Sequence, residues 1–193
     1  GQLGRLTPLS PQMLYQVARV ICGVWMLMMM YVFASRFVAV FFLRRIAFLF
    51  FALGSGLGWL MLALKWSPDV SVSPIDFWLI DLYGFFSLLT FPHFAAIFAL
   101  MWWSVLSFLD FQQSGRMRSM VITILTALFI LFFQPFTVGI VDIVLGLYAI
   151  ASWVWRCKFM WREFIGLSIM AISQMPLLIY SVSTFWGDAT WQS

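Results

Sequence analysis

Residues 119–155 read SMVITILTALFILFFQPFTVGIVDIVLGLYAIASWVW, a run with a single formal charge, Asp142, and a single proline, Pro135. A bilayer core of roughly 30 Å takes about 20 helical residues at 1.5 Å each, so the run is too long for one crossing. Pro135 supplies the division: it has no amide to donate, and its ring clashes with the preceding turn. The stretch therefore predicts two membrane helices, Ser119–Phe133 and Thr137–Trp155, joined as a tight hairpin at Gln134-Pro135. The apolar residues follow one another without period-two alternation, which excludes the strands of an outer-membrane barrel.

Working outward and cutting where charge, Pro or Gly interrupts apolar runs, four further spans are expected. They are Met13–Ser35, Ile46–Leu64, Pro92–Leu109 and Glu163–Phe185. The expected fold is an all-α, polytopic integral membrane helix bundle of about six transmembrane helices, forming one transmembrane domain over residues 1–193. Composition agrees: 64% of the 193 residues are apolar and 9% charged, against about 25% charged in soluble domains. A water-soluble domain, a disordered segment and a nucleic-acid module are excluded. Cys22 and Cys157 are isolated, with no CxxC or Cys/His cluster, so neither a disulfide framework nor a metal site is suggested.

Positive charge orients the set. Arg36, Arg44 and Arg45 follow span one, Arg116 and Arg118 follow span three, and Arg156, Lys158 and Arg162 follow span five. The other side has Arg5, Lys65 and, just inside span one, Arg19, and it collects Asp69, Asp76, Asp81 and Asp188, with Asp142 shallowly buried in span five. Basic loops stay cytoplasmic, so both ends of the chain are expected outside. An outside N-terminus without a signal sequence is explained most simply by a further span upstream of Gly1, which is therefore expected.

Between Lys65 and Phe91, residues 65–74 read as loop. Residues 75–90 are too apolar for water yet carry Asp76, Asp81 and Gly84, which suits an interfacial or re-entrant helix on the outer face. Trp and Tyr crowd the expected boundaries as an anchoring belt.

Few residues are equipped for chemistry. His93, the sole histidine, sits where the acidic segment meets span three; it suits a general base, an anion contact or an axial ligand to a pigment metal, against a capping role. Asp81 lies among aromatics, where a carboxylate needs water, a cation or a donor; it reads as a base or metal ligand, whereas Asp76 reads as a helix cap. Arg19 lies about two turns into span one, where it must snorkel, pair with an acid such as Asp142, or contact lipid phosphate. Gln134 offers an amide at the outer hairpin, although a helix stop accounts for it as well. Gly54-Ser55-Gly56-Leu57-Gly58 lacks the strand and Lys-Ser/Thr of a phosphate loop and reads as a close-packing face within span two. Met26, Met28, Met29 and Met30 read as packing or lipid-facing bulk.

Several strings occur together: Leu3-Gly4-Arg5 with Leu14-Tyr15 and Ala18-Arg19, the glycine run through Trp59, Asp76-Phe77-Trp78, Phe86-Ser87-Leu88-Leu89, Pro92-His93-Phe94, Gln134-Pro135-Phe136, and Pro176-Leu177-Leu178 with Tyr180. In this the chain resembles a family of uncharacterised bacterial polytopic membrane proteins, similar to GT-C glycosyltransferases that use polyprenyl-phosphate sugar donors. It departs from that pattern at Ile80-Asp81, where Pro-Glu is usual, and at Gln134-Pro135-Phe136, where His-Pro-Phe is usual. The resemblance implies an inner-membrane protein acting at the extracytoplasmic face, with this chain a middle portion and a principal acidic loop upstream. It implies catalytic roles for Asp81 and His93 and substrate contacts for Arg19, Trp78 and Gln134, with membrane lipids and a polyprenyl-phosphate sugar as partners. A reading from another class is a non-catalytic subunit of a larger membrane assembly, associated with pigment or quinone and with other membrane subunits. No particular cofactor is indicated, and transport ranks last because the ionisable residues gather near one face.

Overall fold

A computed structural model of the chain describes residues 10–54, 64 and 91–187. Among these every element is an α-helix: α1 Pro11–Phe37, α2 Phe41–Leu53, α3 Pro92–Ser114, α4 Met117–Phe133, α5 Pro135–Arg156 and α6 Trp161–Gly187. α1, α3, α5 and α6 are long and apolar enough to cross a membrane, while α4 is a shorter apolar helix of 17 residues. The protein is a multi-pass, all-α membrane protein. Asp76, Trp78, Asp81 and the expected interfacial helix over 75–90 lie outside the described residues, as does the expected span two beyond Gly54.

The chain divides into two compact units, residues 1–99 and 100–193. In the first, Ser10 caps α1 by accepting the Met13 amide at 3.3 Å, and Pro11 occupies a first-turn position whose amide would be unsatisfied anyway. One stripe of α1, Gly23, Met26, Met30 and Ala34, is buried at three- and four-residue spacing. The methionine run is therefore split by helical geometry: Met26 and Met30 pack inside, and Met28 points out. α2 lies against α1 through edge-on pairs Tyr31–Phe48 and Phe33–Phe51, with ring centroids 5.8 and 6.0 Å apart.

The second span begins earlier than the charges suggested. α2 starts at Phe41, not Ile46, so Arg44 and Arg45 lie inside its first two turns. The reason is local. Arg44 folds back onto the carbonyls of Val38 and Ala39, at 3.1 and 3.3 Å, closing the turn, and Arg45 stacks on the Phe41 ring at 4.2 Å. Gly54 is also reassigned: it ends α2 with its amide on the Phe50 carbonyl at 2.8 Å. Among the described residues a Cβ there would meet that same carbonyl, so Gly54 is a cap; the close-packing face expected of Gly54 with Gly58 lies partly outside the described residues.

In the second unit α4 packs on α5 and α6, and α5 packs on α6. The expected hairpin is present. Gln134 is at once the last cap of α4 and the first cap of α5, its amide bonding the Ile130 carbonyl at 2.7 Å and its carbonyl accepting from Thr137 at 3.1 Å, with Pro135 next in the first turn. The buried side of this unit holds Ser104, Ser107, Thr123, Thr126, Thr137, Glu163 and Gln174, while Phe132, Phe136, Ile143, Leu147, Ile172 and Ile179 are exposed. These polar side chains share the interior with apolar ones such as Phe108, Ile130 and Leu145, and an interior that shelters polar groups behind an apolar exterior is the distribution that lipid favours. Helices in lipid gain nothing by hiding leucine from tails equally apolar, and they associate through small residues and hydrogen bonds instead. Ala127 and Ala149 are fully buried accordingly. At Gly166 a Cβ would come within 2.9 Å of the Met120 sulfur, so this glycine sets how closely α6 approaches α4.

Candidate functional site

Two side-chain hydrogen bonds tie α5 to α6. Trp153 donates its indole N–H to Glu163 Oε2 at 2.8 Å, and Gln174 donates from Nε2 to Asp142 Oδ1 at 3.1 Å. Asp142 and Trp153 are eleven residues apart on α5, and Glu163 and Gln174 are eleven apart on α6. Eleven residues are three turns, about 16 Å, so both bonds fall on facing stripes of one antiparallel register. Glu163 is 1% exposed in the first turn of α6, where the helix dipole favours an acid. Its second oxygen, Oε1, has no partner among the described residues.

The Asp142–Gln174 pair is the one with chemical scope. Gln174 is 1% exposed and Asp142 half-buried, two turns into α5 from the Gln134-Pro135 corner. Only one carboxylate oxygen takes the amide proton, so the group retains acceptor capacity for a hydroxyl, an ammonium or water. A carboxylate within a membrane span is costly, and its retention marks a functional candidate. One turn along α6 from Gln174, Leu177 joins Leu125, Leu128, Phe129, Phe132 and Phe133 in lining an apolar groove of about 420 Å3. Phe133 directly precedes Gln134, so groove, corner amide and membrane-embedded carboxylate occupy neighbouring stretches of the same three helices.

The other expected residues are placed individually. His93 is exposed in the first turn of α3, its ring in a three-ring cluster with Phe91 at 5.5 Å and Phe94 at 4.3 Å, which are 5.6 Å from each other. Phe91, whose carbonyl accepts from Phe94 and Ala95, begins that helix. Arg19 is half-buried in the third turn of α1. Gln134 is half-buried at the shared cap. His93 and Arg19 belong to the first unit and Gln134 to the second. Within the second unit Asp142 is bonded by Gln174. Gln174 drew no notice in the sequence, although a glutamine at mid-span is itself a signal of a buried polar contact. Among the described residues no three His, Cys, Asp or Glu side chains gather as a metal site. No protein-family model, curated protein or solved structure matches the chain.

Proposed function

We propose that the protein is a membrane glycosyltransferase-like protein that acts at the extracytoplasmic face on a lipid-linked sugar donor. The observation that carries this reading is the apolar groove lined by Phe133 and Leu177, two residues whose helices also carry, one residue and one turn away in sequence, the Gln134 corner and the Gln174 that bonds Asp142. A lipid-linked sugar has an apolar chain, an anionic phosphate and a hydroxyl-rich head. The groove suits the first, and a carboxylate with an amide suits the last, because together they accept from and donate to sugar hydroxyls. The roles of the first-unit residues rest on the sequence resemblance and not on the groove: Arg19 holds a phosphate by charge-assisted hydrogen bonds. His93 or Asp81 orients the acceptor hydroxyl and takes its proton, Trp78 stacks on the sugar ring, and Gln134 bonds the head at the corner.

The test is sugar transfer from a radiolabelled polyprenyl-phosphate sugar by the full-length protein in proteoliposomes. His93→Ala and Arg19→Ala are each expected to lower turnover about a hundredfold or more. Unchanged transfer in both variants would exclude the assignment. The exposed His93 ring beside two phenylalanines also suits an axial ligand in a pigment-bearing subunit. The glycosyltransferase reading expects a purified protein with no visible absorption band, and a band lost in His93→Ala would favour the subunit instead.

A further inference from the structure

We propose that the end of the second unit formed by the turns at 115–116 and 157–160 is a binding site for the headgroup of an anionic phospholipid. The inference is independent of any sugar chemistry, because it concerns the opposite end of α4, α5 and α6 from the Gln134 corner. Its starting point is a contact that sequence order does not contain. Arg162 donates from Nη2 to the Gly115 carbonyl at 2.6 Å, across 47 residues. This bond fastens the α3–α4 turn to the start of α6, and so brings two separately basic segments into one place. The first carries Arg116 and Arg118, and the second carries Arg156, Lys158 and Arg162; all five are exposed.

The acids at this end are arranged so that the surface stays positive. Glu163 is buried against Trp153 and withdrawn from the face. Asp110 is exposed but lies a full turn up α3 from Ser114. α4 and α6 begin here while α3 and α5 end here, so the helix-end partial charges offset and the positive charge of the face is that of its side chains. Around the basic residues stands a cluster of rings: Phe159 is 4.6 Å from Trp153, 4.9 Å from Trp161 and 5.6 Å from Phe164, while Trp155 is 90% exposed. Indole rings settle at headgroup depth, which holds the cations level with lipid phosphates rather than out in water. A soluble polyanion would need no such rings, and a protein partner would be met by a face with some acid in it. Charge and depth together select a membrane phosphate ester with net negative charge.

The experiment reads lipid retention by native mass spectrometry of the full chain in mixed micelles, titrating phosphatidylglycerol against phosphatidylcholine. Wild type is expected to keep phosphatidylglycerol selectively. Each cation removed is expected to weaken that retention about fivefold, so R116Q/R118Q and R156Q/K158Q each lose about twenty-five-fold, and 1 M salt abolishes the preference. R116K/R118K/R156K keeps the charge and is expected to keep the preference, which separates loss of charge from loss of fold. Equal retention of both lipids by wild type, or an unaltered preference in both glutamine pairs, would overturn the proposal. Displacement of phosphatidylglycerol by millimolar inorganic phosphate would also overturn it, by making the face a site for a free anion.

Discussion

Arg44 and Arg162 each spend their guanidinium on a backbone carbonyl rather than on an acid. Arg44 closes the turn after α1 on Val38 and Ala39, and Arg162 closes the turn after α3 on Gly115. Carbonyls at helix C-termini lack intrahelical partners, so a cation there satisfies an orphan acceptor and complements the dipole at once. Gly115 is required twice over: its φ is +66°, and a Cβ would collide with the Arg162 guanidinium. Gly115→Ala is expected to cost about 1–2 kcal/mol of unfolding free energy in detergent, and Arg162→Gln in that background should add little, since the carbonyl bond is already lost. Gln174→Leu leaves Asp142 without its amide donor and should destabilise by about 0.6–1.7 kcal/mol, whereas Asp142→Leu with Gln174→Leu should recover most of the loss. A double-mutant cycle from thermal unfolding checks both signs. At this scale the sequence was partly legible. Arg44 and Arg162 were visible as topological charges, but that a long side chain turns back on its own turn depends on backbone geometry that composition does not carry. Gln174 was missed for a similar cause, because a lone amide declares no partner until helix register is known.

At the scale of elements, the two bonds at eleven-residue spacing make α5 and α6 a registered pair: a slip of one turn separates Asp142 from Gln174 and Trp153 from Glu163 together. The turn between these helices ends in a Schellman motif, with the Lys158 amide on the Trp153 carbonyl and the Cys157 amide on Val154, both at 3.1 Å. Cys157 occupies the left-handed position there, at φ 47°. A glycine removes the Cβ conflict, so Cys157→Gly is expected to raise stability by about 1 kcal/mol, read as a higher unfolding midpoint in detergent. Gly166→Leu should have the opposite sign, because Met120 occupies the space. Element limits followed the sequence closely wherever a cap or proline marked them. Met13–Ser35 became Pro11–Phe37 with Ser10 as its cap, and the break at Pro135 fell where the missing amide put it. The start of α2 was missed by five residues because two arginines in a first turn look like loop when their hydrogen bonds are not known.

At the scale of the whole molecule, the order of apolar segments conveyed class and multi-pass character, since lipid requires every backbone amide to be satisfied within a helix. Orientation has a simple probe. Cys157 is an exposed thiol on the basic turn, and Cys22 is half-buried within α1. A membrane-impermeant maleimide is expected to label Cys157 in inverted vesicles and to spare it in intact cells; labelling in intact cells would reverse the assignment. One feature of α4 also bears on the surrounding membrane. Seventeen residues reach about 25 Å, some 5 Å less than a typical hydrocarbon core, whereas its neighbour α5 has 22. Where a 17-residue helix crosses the bilayer, thinning of the lipid beside it is one way to meet the mismatch, and it would draw the bilayer into a local dimple. If the dimple opens at the Gln134 corner, the polar boundary sinks toward Asp142, and a headgroup meets that carboxylate without leaving its own leaflet.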